Sequence, residues 1–246
     1  MRLYLIRHGQ STNNAIAHLP TQEIRLKRSH DPLLTETGQQ QAQHLADFLA
    51  TMVDTTAPLL DPLALTHLYV SPMIRALDTA KPTAEKLAIQ PQIWKDICEI
   101  GGLFNVDEND NITSFPGLTR TDIEEQYPTY IISDDITETG WWDINHGMET
   151  PDQFYGRALR VAGTLRKRAT TDEQIALVAH AAFLDALMKT FLQQIPTHPN
   201  RLFYNHYNTG ITRIDFADSK YTDSIDHMRI HYLNRVDHLP SALRTD

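Results

Sequence analysis

The sequence predicts an α/β protein built on a mostly parallel sheet with helices over both faces. Three short apolar runs carry that expectation: Leu3-Tyr4-Leu5-Ile6, Leu68-Tyr69-Val70 and Ile175-Ala176-Leu177-Val178-Ala179. Each ends abruptly in polar residues, at Arg7-His8-Gly9, Ser71-Pro72 and His180, as strands buried on both faces do when they empty into loops. Helical spacing fills the intervals between them. Strands that alternate with helices build parallel sheets, and ligands of such sheets bind beyond the carboxyl ends of the strands.

The helices follow in order. Leu45, Phe48, Leu49 and Met52 recur on one face, and so do Ile74, Leu77, Ala84 and Leu87, a helix that Pro82 is expected to kink. A third helix is defined by Phe154, Ala158, Val161, Ala162 and Leu165. Thr150-Pro151-Asp152-Gln153 sets its start as an N-cap, a first-turn proline and a capping-box partner. After His180, a fourth helix carries Leu184, Leu187, Met188 and Phe191. Strand-like runs at Ile211 to Phe216 and Met228 to Leu233, separated by turn-rich charged residues, form a hairpin.

With 246 residues the chain fits one large α/β domain, residues 1–246, and contains no repeat or linker that divides it. Hydrophobic residues at 41% and charged residues at 22% exclude a disordered chain. No apolar stretch reaches the ~18 residues of a membrane helix. The start MRLYLIRHG turns polar too early for a secretory signal, so no membrane association and a cytoplasmic location are expected. A single cysteine, Cys98, excludes an internal disulfide framework and fits a reducing compartment. The net charge of −9 argues against a surface built to grip nucleic acid.

That charge is concentrated. Residues 101–150 hold eleven acids (Asp107, Glu108, Asp110, Asp122, Glu124, Glu125, Asp134, Asp135, Glu138, Asp143 and Glu149) against the one base Arg120. The stretch 103–150 therefore reads as a solvated acidic insertion or cap that repels bulky polyanions. Trp141-Trp142 within it reads as the insertion's own small core.

Two histidines and two arginines collect at the strand ends. Arg7-His8 follows the first strand, His180 follows a later one, and Arg75 lies just beyond a third. Guanidinium forks bind phosphoryl oxygens in pairs and a neutral imidazole can attack phosphorus, so this set suits a phosphoryl group. The surroundings make the pattern specific. Arg7-His8-Gly9-Gln10-Ser11, Asn14, the stretch from Asp31-Pro32-Leu33-Leu34-Thr35 to Gly38 and Ala42, and the stretch from Ser71-Pro72-Met73-Ile74-Arg75 to Ala80 resemble the histidine phosphatase (phosphoglycerate mutase-like) superfamily. Asn208-Thr209-Gly210 and Leu233-Asn234-Arg235 look like that family's closing strands.

The resemblance implies a three-layer α/β/α sandwich and a phosphomonoesterase acting on a small phosphorylated metabolite through phosphorylated His8. Arg7, Arg75 and His180 would hold the phosphoryl oxygens, with Gly9, Ser11, Asn14 and Ala181 as further phosphate contacts. Glu99 sits where the family's phosphatases carry a general acid, with Asp107, Glu108 and Asp110 next in line. Ala181 stands where glycine is usual, and an alanine there does not take positive φ cheaply. Mutases of the family carry Glu-Arg-His-Tyr-Gly where this chain has Glu99-Ile100-Gly101-Gly102-Leu103, which lacks the bases that retain a carboxylated bisphosphate. A phosphoglycerate mutase is thus the second reading, and a non-catalytic phospho-ligand or protein-binding module the third.

Other phosphoryl chemistries find no support. Six residues after Cys98 stands Phe104 instead of the arginine a cysteine phosphatase needs, and Asp-x-Asp and both glycine-rich nucleotide loops are absent. His227 and His231 have the helical spacing of zinc ligands, yet Met228, Ile230 and Tyr232 alternate around them as in a strand. No metal and no cofactor are expected; fixed cations supply the charge.

Overall fold

A computed structural model describes residues 1–52, 63–194, 202–216 and 227–246. Along the chain run β1 (Arg2–Arg7), α1 (Thr12–Ala15), α2 (Thr21–Lys27), α3 (Glu36–Thr51), β2 (His67–Val70), α4 (Ile74–Leu87) and β3 (Pro91–Ile93). A small hairpin of β4 (Phe104–Val106) and β5 (Ile112–Ser114) and the helix α5 (Arg120–Gln126) follow. The chain then forms α6 (Pro151–Arg166), β6 (Gln174–Ala179), α7 (Ala181–Phe191), β7 (Ile211–Phe216) and β8 (Met228–Arg235). Among the described residues the main sheet has six strands in the order β3-β2-β6-β1-β7-β8, parallel from β3 to β1 and antiparallel at β7 and β8. The turn of the expected β7–β8 hairpin lies outside the described residues.

Side-chain alternation along the central strands makes the three layers. Tyr4, Ile6, Leu68, Val70, Ala176 and Val178 enter one core with α3 and α4, while Leu3, Leu5, Ile175, Leu177 and Ala179 enter a second with α6 and α7. Truncating a leucine buried as Leu5 or Leu177 is usually worth about 2–5 kcal/mol. The expected cap is present, Thr150 and Gln153 forming a capping box around Pro151; at the start of α3 the Thr35 side chain also accepts from the Gly38 N–H. Pro82 lies within α4, which runs on past it to Leu87. His231 lies in β8, beside Asp215, as the strand reading requires.

The acidic stretch differs from its expectation in two ways. Its apolar residues do not form a separate core: Ile123, Tyr127, Tyr130, Ile136 and Trp141 join the α3/α4 cluster. Trp142 packs edge to face on Trp141 and fills the space over Gly102, where a Cβ would lie 2.2 Å from the indole ring. Nor is every acid solvated. Glu149 is buried in a bidentate pair with Arg157, at 2.9 and 2.6 Å, while Asp122 caps α5. No helix among the described residues is long and apolar enough to cross a membrane.

Candidate active site

The parallel register between β1 and β6 pairs Arg7 with Ala179, so the next residue on each strand, His8 and His180, emerge side by side. Their ring centroids are 5.0 Å apart. β2 pairs Val70 with Val178, which sets Ser71 level with Ala179 and brings its hydroxyl to His180, and α4 begins three residues on with Arg75 in its first turn. All four residues named from the strand ends therefore meet, and all are buried.

Their hydrogen bonds assign chemical roles. His8 donates Nδ1–H to the Gly9 carbonyl at 2.6 Å, which leaves the Nε2 lone pair facing the Arg75 Nε–H at 3.1 Å. Burial first, then the charges of Arg75 and Arg7, push His8 well below the ordinary imidazole pKa. The same causes, burial foremost, lower His180. Both rings are neutral near pH 7. His180 Nε2 meets Ser71 Oγ at 2.7 Å; since Ser71 accepts the Met73 N–H, its own proton is free for Nε2, and the His180 proton then sits on Nδ1. That Nδ1 and the Nε of Arg7 are buried without a hydrogen-bond partner. Such orphaned donors are rare in folded proteins, and here two share one cradle.

A second set of contacts holds these groups. Arg7 Nη1 donates to the His206 carbonyl at 2.5 Å, Asn208 Nδ2 donates to the His8 carbonyl at 3.0 Å, and the Thr209 N–H reaches the Arg7 and His8 carbonyls from a left-handed φ of 57°. Asp31 lies 3.6 Å from Arg75 and accepts the Ile74 N–H; burial raises its pKa to about 6. Sequence reasoning gave none of Ser71, Asp31, His206, Asn208 or Thr209 a role, although Asp31, Ser71 and Asn208-Thr209 lie inside the stretches that carry the resemblance. His206 sits in no such stretch.

Two expected phosphate contacts, Gly9 and Ser11, turn out to be spoken for. Gly9 spends its N–H on Thr79 Oγ1 and its carbonyl on His8. The Ser11 hydroxyl and amide both donate to Asn14 Oδ1 in a capping box at α1, so Ser11 orients Asn14 and has no proton left for a phosphate. The Asn14 amide nitrogen is not used by that box. Glu99 accepts from Ile100 and Phe183 at Oε1 and from Ala182 at Oε2, which caps the first turn of α7. Ala181 opens α7 from the N-cap His180 and is absent from the positive-φ positions, so alanine is unstrained there and its first-turn N–H has no intrahelical acceptor. Asp107 is tied into its own turn with Asn109 and Asn111, and Asp110 pairs with Arg25 at 2.8 Å. No group of three or more His, Cys, Asp or Glu among the described residues is arranged to hold a metal ion.

Known proteins share both the sequence pattern and the fold. The family description "histidine phosphatase superfamily (branch 1)" matches residues 3–224. Among curated proteins no match is found. Solved structures share the fold at low identity. A mycobacterial glucosyl-3-phosphoglycerate phosphatase complexed with VO3 is 19% identical with a TM-score of 0.58, over 96% of this chain and 99% of that one. Phosphoserine phosphatase from Entamoeba histolytica, complexed with 3-phosphoglyceric acid, is 19% identical with a TM-score of 0.57, over 97% and 99%. YhfR of Bacillus stearothermophilus is 20% identical with a TM-score of 0.58, over 96% and 98%.

Proposed function

Since the chain belongs to branch 1 of the histidine phosphatase superfamily, a family of phosphatase enzymes, we propose that it hydrolyses a small phosphorylated metabolite through a phosphohistidine at His8. The observation that carries this reading is the His8 ring, neutral, with its Nε2 lone pair turned to Arg75 in a buried cluster where Arg7 Nε and His180 Nδ1 lack partners. The Nε2 lone pair attacks phosphorus and the bond from phosphorus to the ester oxygen breaks. Arg7, Arg75, His180 Nδ1–H, the Asn14 amide and the Ala181 N–H receive the phosphoryl oxygens, so charge is neutralised by fixed donors. Glu99 gives a proton to the leaving alkoxide and takes one from the water that attacks the phosphohistidine. Phosphate then departs and His8 Nε2 is restored.

The substrate class is supported by the small phosphate esters named with two of the similar structures. A cytoplasmic setting belongs to the proposal and rests on the lone, buried, unpaired Cys98. Trapping during turnover tests the mechanism: an acid-labile, base-stable phosphoryl adduct on His8 is expected, and His8→Ala should abolish both adduct and turnover while keeping the fold. An adduct on a serine, or turnover surviving in His8→Ala, refutes it.

A further inference from the structure

Glu99 stands in a turn outside any helix or strand, followed two and three residues on by Gly101 and Gly102 at left-handed φ of 84° and 72°. Strand register, which places the histidines, does nothing to place its carboxyl. The side chain itself is committed to α7, where it accepts the Ala182 and Phe183 N–H groups. Its backbone is therefore held from elsewhere.

One buried ion pair grips that turn. Arg157 in α6 donates from Nη1 to the carbonyls of Asp96 at 2.7 Å and Cys98 at 2.8 Å, and Nη2 reaches the Glu99 carbonyl at 3.4 Å. Glu149 binds the Nε and Nη2 of Arg157, and its Oε2 also accepts the Gly101 N–H at 3.4 Å. The pair thus touches the chain before, at and after Glu99. It reaches the far side of the carboxyl as well, since the Arg157 guanidinium lies 5.3 Å from the ring of Phe183, whose N–H is bound by Glu99.

Fold stability does not require such a pair. Burying two charges costs most of what their attraction returns, so apolar side chains of similar volume usually serve a core as well or better. What apolar side chains cannot supply is a rigid fork of donors matched to several carbonyls, together with an acceptor for the amide that follows. That fork is centred on the one proposed catalytic group with no regular element beneath it. A misplacement of ~1 Å at a reacting group can cost about 10²-fold in rate.

We propose that Glu149 and Arg157 are positioning residues that hold the Glu99 turn where its carboxyl passes a proton to the departing oxygen as the bond to phosphorus breaks. The inference rests on the reading of Glu99 as proton carrier and adds the device that places it.

Phenyl phosphate and p-nitrophenyl phosphate supply the test, because they present the same phosphoryl group and ring and differ in how basic the departing oxygen is. Arg157→Lys keeps a charge beside Glu149 and gives up the fork; the double variant Glu149→Leu with Arg157→Met leaves no lone buried charge. In both, kcat on phenyl phosphate should fall about tenfold or more, KM should change little, and p-nitrophenyl phosphate should be affected much less. Glu99→Gln should show the same split, and combining it with Arg157→Lys should add little further loss on phenyl phosphate, because both act on one proton transfer. Equal falls on the two substrates, losses that multiply with Glu99→Gln, or rates left at the wild-type level overturn the positioning role; if Glu99→Gln alone shows the split, the proton-carrier reading stands. Failure of both variants to fold makes the pair a stability element and likewise overturns it. Absence of the split in Glu99→Gln overturns the parent reading and this inference with it.

Discussion

Both oxygens of Glu99 accept backbone N–H groups, which makes it a cap for α7 as well as the proposed proton carrier. Glu99→Gln loses the exchangeable proton and keeps only one of the two acceptor oxygens, so it loosens the cap as well, and a comparison of substrates is what separates the two roles. As proton carrier, Glu99 predicts a fall of about 10²-fold or more in turnover of an alkyl phosphate, with KM little changed, and a much smaller fall for p-nitrophenyl phosphate, whose leaving group departs unaided. Equal falls on both substrates, accompanied by a lower unfolding midpoint, would reduce Glu99 to its capping role. At this scale the sequence is most informative where strand register does the placing: His8, His180, Arg7 and Arg75 need only adjacent parallel strands to meet. It is least informative about what each polar atom touches. Ser11 looks like a phosphate ligand from its place in the chain, and only the fold shows its hydroxyl turned to Asn14.

The loop from His8 to Ser11 is positioned by the start of α3, and the contact is backbone against backbone. Gln10 O accepts the Thr35 N–H, the Gln10 N–H goes to Gln41 Oε1, and Gly38 sits so close that a Cβ would lie 2.1 Å from Gln10 O. Gly9 faces the same junction, where a Cβ would lie 2.6 Å from Gly38 O. Gly38→Ala should therefore cost about 2 kcal/mol or more and lower turnover as well, because relief of the overlap has to move the segment that carries His8. Gly163 within α6 has open space around its Cβ position and an ordinary helical φ, so Gly163→Ala should add about 0.5–1 kcal/mol without changing turnover. Denaturant titration and kcat of the two variants check the contrast, and a Gly38→Ala enzyme of wild-type stability and rate would refute it. The long helices and the five longer strands are legible in the sequence because their signals are local: apolar runs, amphipathic spacing and the Thr150 to Gln153 box; the short α1, α2 and β3 carry no such signal. The acidic stretch is not, because its packing is long-range. Trp141 joins a core supplied mainly by α3, α4 and the sheet, and Glu149 meets Arg157 across the start of α6, where Arg157 also binds the carbonyls of Asp96 and Cys98 that lead to Glu99.

Taken as a whole, the molecule buries histidines in their neutral form, and this sets how its stability responds to acid. His206 and His238 are held to a pKa of about 4, chiefly by burial, and His8 and His180 lie well below the ordinary value for the same first cause. In the unfolded chain each of these rings takes a proton near pH 6.5, so as pH falls from there toward 4 the unfolded state binds protons that the native state refuses, and stability declines. Asp31 works in the opposite direction. Burial raises it to about 6, so the native state takes up its proton first and the penalty of the buried charge is relieved below that pH. Because a tenfold change in proton affinity corresponds to ~1.4 kcal/mol, His206 and His238 together outweigh Asp31 by roughly 3–4 kcal/mol at pH 4, before His8 and His180 add their share. That is a large part of the 5–15 kcal/mol typical of a folded domain. The thermal midpoint should therefore hold near and above pH 7 and drop steeply between about 6.5 and 4. His206→Gln, which keeps a hydrogen-bonding side chain but cannot titrate, should flatten part of that drop and leave the neutral-pH midpoint lower by the lost contact with Thr212. A midpoint that stays level or rises on acidification would mean that Asp31 and its like dominate, and that the histidines around the cradle are charged in the native state, which would also remove the nucleophile from His8.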